Sequence, residues 1–109
     1  MHREARPRTV AVTTDASTTE IVDIRDMAGL SVEIPAGMSM TSLAVYSTLT
    51  DPNDASPVTP VVFTDADDTA VTVTVAADGV FEVPAAVYNA PWICFVGSHA
   101  EDILLFAKS

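Results

Sequence analysis

The stretch Val71-Thr72-Val73-Thr74-Val75 alternates branched apolar and hydroxyl residues with a period of two. On an extended chain that spacing sends the valines to one face and the threonines to the other, whereas a helix would scatter both around its axis. The same habit runs through the rest of the chain. Valine occurs 15 times and threonine 13 times, against five leucines and no glutamine. β-Branched side chains crowd a helical turn but fit a pleated sheet. No window of helical length carries a convincing 3.6-residue apolar period. Seven prolines and clusters of Asp, Asn and Gly interrupt the alternation at short intervals, the punctuation of an all-β sandwich or barrel. The chain is therefore predicted to be all-β: an antiparallel β-sandwich, jelly-roll or immunoglobulin-like, of about eight or nine strands.

Strands are predicted over Thr9–Thr14, Glu20–Arg25, Leu30–Ile34, Ser42–Leu49, Val58–Phe63, Val71–Val75, Val80–Val83, Trp92–Val96 and Ile103–Ala107. Parity groups Leu43, Val45 and Leu49 on one face. Pro57 and Pro60 remove amide donors, so their strand belongs at an edge or carries a bulge. Asp78-Gly79 is a hairpin dipeptide, with Gly79 supplying a positive φ. Asp65-Ala66-Asp67-Asp68 is a turn in which Asp binds nearby backbone amides. Gly97–Asp102 reads as a polar hairpin loop between the last two strands. Glu33-Ile34-Pro35-Ala36-Gly37 is echoed by Glu82-Val83-Pro84-Ala85-Ala86, which suits two halves of one sandwich better than a repeat array.

Length and charge narrow the function classes. A chain of 109 residues makes one domain. Its net charge is −10 with 49% hydrophobic residues, too apolar for a disordered acidic tail. The apolar runs are far short of the roughly 20 residues a membrane span needs, so no membrane partner is expected. The acidic balance argues against coating a nucleic acid, which takes Lys and Arg. The single cysteine, Cys94, excludes an internal disulfide framework and a multi-cysteine zinc site. No apolar run follows the charged start, and neither Asn53 nor Asn89 heads a glycosylation triplet, so cytoplasmic synthesis is expected. Arg3, Arg6 and Arg8 are three of the five basic residues. Residues 1–8 therefore read as a basic N-terminal arm ahead of a single sandwich domain over 9–109. Such an arm is either solvated or docked on an acidic neighbour, a second copy of the chain included.

Conventional chemistry finds little foothold. Ser98, His99 and Asp102 invite a triad, but adjacent side chains on a strand point to opposite faces, which spoils proton transfer. No catalytic residue is assigned. Asp65, Asp67 and Asp68 lack the spacing of a calcium loop and read as a turn of solvated aspartates. Cys94, in an apolar strand without a basic neighbour, reads as an inert thiol. With no phosphate-binding glycine loop either, no metal or cofactor is expected. Trp92 and Tyr88 are either a sugar-stacking platform or anchors of a core or interface.

The last two strands break the pattern of one apolar and one polar face. Trp92, Cys94 and Val96 oppose Ile93 and Phe95; Ile103, Leu105 and Ala107 oppose Leu104 and Phe106. Something must cover the second face, either the chain's own loops or a neighbouring subunit. Burial at roughly 25 cal/mol per Å² makes a few such side chains worth several kcal/mol of association. The scarcity of lysine, the usual guard of sheet edges, also suits edges that find partners. The candidate interface residues are Arg3, Arg6, Arg8, Trp92, Ile93, Phe95, Leu104 and Phe106.

From Met27 onward the chain has a familiar grammar. A strand ends in Glu33-Ile34-Pro35-Ala36-Gly37-Met38, followed by Ser42-Leu43-Ala44-Val45-Tyr46-Ser47. Then come Phe63-Thr64-Asp65-Ala66-Asp67-Asp68-Thr69-Ala70-Val71-Thr72-Val73, Glu82-Val83-Pro84 and a closing Ile93-Cys94-Phe95-Val96. This resembles the small β-sandwich virion proteins of tailed bacteriophages that decorate or cement the capsid. Such proteins often carry a glycine in the Asp-rich turn, where this chain has Asp68. The resemblance implies a non-enzymatic virion protein, assembled in the host cytoplasm. It would bind the outer shell, commonly as a homotrimer, and bridge major capsid protein subunits around packaged DNA. The alternative expectation is a carbohydrate- or receptor-binding sandwich on a phage fibre or tail.

Overall fold

A computed structural model describes residues 6–54 and 58–108. Nine strands follow one another: β1 (Arg6–Val12), β2 (Val22–Asp23), β3 (Gly29–Ile34), β4 (Ser42–Thr48), β5 (Val61–Val62), β6 (Thr72–Thr74), β7 (Gly79–Glu82), β8 (Trp92–Gly97) and β9 (Glu101–Lys108). A five-residue 3-10 helix, Ala85–Asn89, precedes β8. It was not foreseen, being too short to show a period. The strands form two antiparallel sheets. Sheet I has the order β1-β9-β3-β7, and sheet II the order β2-β8-β4-β5, with β6 also pairing β4.

The strand order settles the topology. The short β5 and β6 share one flank of β4, opposite residues 46–47 and 42–44 respectively, so together they fill one sheet position. Each of β2, β3 and β4 lies in the sheet opposite its predecessor, and so do β7, β8 and β9. This interleaving is a jelly roll; an immunoglobulin sheet pairs its first two strands with each other. Two expected hairpins are accordingly crossovers. Asp78-Gly79 leads from sheet II to sheet I, and so does the loop after Gly97. The Asp65 turn is the hairpin, closed by the Thr64–Ala70 bridge and the Asp65 amide donating to the Thr69 carbonyl at 2.9 Å.

Turn chemistry also differs from expectation. Asp78, not Gly79, takes the left-handed conformation, with φ 62°. Gly79 is small for another reason: a Cβ there would lie 2.8 Å from the Phe81 ring. Asp68 holds φ 61°, doing at a turn what glycine does most easily. The Asp65 carboxylate secures that turn by accepting the amides of Asp67 and Thr69 at 2.9 and 3.1 Å.

The core fills the space between the sheets. Val10, Leu30, Val32, Ile34, Ile103 and Leu105 come from sheet I, and Val22, Leu43, Val45, Val73, Ile93 and Phe95 from sheet II. Val71, Val73 and Val75 are all buried, as their alternation requires. Leu49 shares parity with Leu43 and Val45, yet β4 stops at Thr48 and Leu49 is 80% exposed. At one corner β1 joins both sheets. Thr13 bridges Val96, and the Gly97 amide donates to the Thr13 carbonyl at 2.9 Å. The buried Thr19 hydroxyl lies 3.1 Å from the Ala11 carbonyl and 2.8 Å from that of Phe95.

Candidate functional site

The two strands that read as apolar on both faces have different fates. In β8, Ile93 and Phe95 sit opposite Ser47 and Val45 of β4, face the core and are fully buried. Trp92 and Cys94 point to the outer face of sheet II, and they too are covered, at 9% and 0% exposure. Tyr46 lies opposite Cys94 and Thr48 opposite Trp92. Arg25 lies over the Trp92 ring, 5.0 Å from its centroid. The Asp23 carboxylate holds that guanidinium, accepting from Nε at 3.0 Å and Nη2 at 2.6 Å, which pulls the Asp23 carboxyl below its usual range. The chain itself thus supplies the expected cover at β8. Trp92, Ile93 and Phe95 offer almost no surface to a neighbour, which changes the expectation of an interface there. Burial alone pushes the Cys94 thiol up to about 12, in keeping with an inert group.

In β9 the outward residues are Leu104 and Phe106, both only half-buried. Leu104 lies between Thr9 and Glu33, and Phe106 between Pro7 and Ser31. These neighbours are too short or too polar to roof them. Val80, opposite Glu33 on the same face, is 61% exposed. The echoing acids Glu33 and Glu82 come together here as diagonal neighbours on β3 and β7.

Of the basic arm, residues 6–8 are the start of β1, paired with Phe106 and its neighbours in β9. Arg8 forms an ion pair within the chain to Glu20, whose other oxygen accepts the Ala11 amide at 3.2 Å. Arg3 lies outside the described residues.

Two surface features stand out that strand parity did not reveal. At the free edge of sheet II, Leu49, Val61 and Val62 are 80%, 66% and 45% exposed. They border a shallow groove of about 420 Å³, together with Thr48, Thr59 and Thr64. On sheet I, a second groove of about 330 Å³ lies where β3, β7 and β9 meet the 3-10 helix. Gly29, Ser31, Glu82, Tyr88, Phe106 and Lys108 are among its lining. Burial raises the Tyr88 phenol above its ordinary value. Tyr88, on the 3-10 helix, lines the groove of sheet I, whereas Trp92 lies on the outer face of sheet II, so the two rings do not form one platform; Phe106 is the ring that shares a groove with Tyr88.

The remaining candidates have local roles. The turn after β8 brings Ser98 Oγ to 3.2 Å from His99 Nδ1, a proximity that strand geometry would not allow. The same oxygen accepts the Thr41 amide at 2.9 Å, so Ser98 ties two loops together. Among the described residues, no three His, Cys, Asp or Glu side chains are grouped as a metal would need. Comparison of the chain with protein-family models, curated proteins and solved structures gives no match in any of the three.

Proposed function

We propose that this chain is a non-enzymatic structural subunit of a bacteriophage virion. In this reading it is a capsid decoration or cement protein that self-associates, as a trimer, and bridges major capsid subunits from outside. The observation that carries the reading is the open edge of sheet II. Leu49, Val61 and Val62 stand in solvent on a body of net charge −10, where apolar surface has no role in the monomer. Covering such side chains is worth about 1.5–3 kcal/mol each. A jelly roll suits the role, being an architecture common in capsid proteins, although fold by itself does not assign function. The mechanism is mass action: a subunit that binds only the assembled lattice stabilises it.

The test is sedimentation. The wild-type protein should be a trimer and should pellet with intact shells but not with free shell subunits. Val61→Asp, a change at an exposed site, should abolish both associations while leaving the melting curve in place. A wild-type monomer that ignores intact shells would overturn the reading.

A further inference from the structure

The groove on sheet I is built differently from the apolar edge of sheet II. Its floor includes Gly29, which has no side chain, and Ser31, with a hydroxyl. Its walls come from separate elements: Phe106 and Lys108 from β9, Glu82 from the end of β7, and Tyr88 from the 3-10 helix. Two half-buried aromatic rings thus share one concavity with a hydroxyl, a carboxylate and an ammonium. A concave site with aromatic lining and a few convergent polar groups is the usual form of a small-molecule site.

We infer that this groove is a saccharide site, taking a neutral pyranose unit of a glycan. A pyranose has an apolar C–H face, which packs on aromatic rings, and a rim of hydroxyls that both donate and accept. Tyr88 and Phe106 supply rings. Glu82 accepts from hydroxyls, Lys108 donates to them, and Ser31 does both. Charge excludes the anionic alternatives: Lys108 is offset by Glu82 within the groove, and a body of charge −10 repels phosphate, sulfate and sialic acid.

The site is independent of the proposed shell contact, because it lies on sheet I and the apolar edge belongs to sheet II. Both surfaces can be occupied at once, and loss of association in Val61→Asp leaves the groove intact.

The test is a titration of the isotope-labelled protein, followed by amide shifts, with lactose, maltotriose, cellotriose and chitotriose. Sialyllactose and a heparin oligosaccharide serve as anionic controls. At least one neutral sugar should move the amides of Gly29, Ser31, Glu82 and Lys108 in a saturable way, and the anionic probes should not. Phe106→Ala and Tyr88→Ala should each weaken binding about ten-fold. Gly29→Leu gives a cleaner variant. A Cβ at Gly29 meets only Lys108 Cβ at an ordinary 3.8 Å, so a side chain can start there without a clash; the melting curve checks that the fold is kept, and binding should vanish. Absence of any saturable shift with all four neutral sugars overturns the inference. So does equal binding of the anionic probes, or binding that survives Gly29→Leu.

Discussion

Strands β8 and β9 share a sequence signature and differ in what surrounds them. Both are central strands, flanked on both sides, and both carry large apolar residues on each face. At β8 the outer face is closed by Tyr46 from β4 and by Arg25, reaching over Trp92. At β9 the neighbours are Pro7, Thr9, Ser31 and Glu33, and Leu104 and Phe106 stay partly open. An apolar second face therefore does not announce an interface by itself. What decides is whether the cross-strand neighbours, and residues just beyond the sheet, are long enough to shelter it. Arginine does so well, since its stem is apolar and its planar head stacks on a ring.

The sharpest way to break this comparison is to truncate one aromatic from each strand. Phe95→Ala should cost about 3–5 kcal/mol, as for a fully buried ring, and Phe106→Ala about 1 kcal/mol. Urea unfolding of the two variants measures the gap, and equal losses would put the two strands on the same footing. Next in size is Gly97→Ala at the end of β8. An added Cβ would lie 2.6 Å from Met40 Sδ and 2.7 Å from Val12 Cγ1, so overpacking should destabilise by about 1–3 kcal/mol. The third probe is alkali. Cys94 is protonated in the folded chain up to about 12, against an ordinary 9.0. Its contribution to stability is complete below the ordinary value and is lost as pH rises between the two. Unfolding midpoints should fall across that window, and Cys94→Ala should flatten the slope. The smallest effect is optical. Trp92 is the single tryptophan, and Arg25→Ala should shift its emission to longer wavelength. Acid should do the same in the wild type. The folded Asp23 carboxyl is depressed below 3.8, so its pairing with Arg25 holds above that value and is lost as pH falls through the lower, folded one.

The architecture was largely legible in the residues. Alternation at Leu30–Ile34 and Val71–Val75 marked strands and their inner faces correctly, because period two has one geometric meaning. Pro60 marked the edge position of β5. Strand pairing was less legible: Asp78-Gly79 and Gly97–Asp102 look like hairpin connectors, and only the three-dimensional order shows the chain changing sheets at both. Parity placed Leu49 with the core but is silent on where a strand stops. The cover at β8 was hidden because Arg25 reads as a polar surface residue until its position above Trp92 is known. Tyr88 and Phe106 meet across 18 positions of sequence, and no local pattern joins them.

The first strand is hydrogen-bonded to the last, with Arg6 opposite Ala107. No contact between them can form until β9 itself has left the ribosome. The sandwich therefore cannot close until β9 has been made, and such non-local pairing belongs with folding times of milliseconds to seconds. In that interval the partners of β9 are uncovered, so production in cells should reward low temperature and slow synthesis, which keep half-made molecules apart.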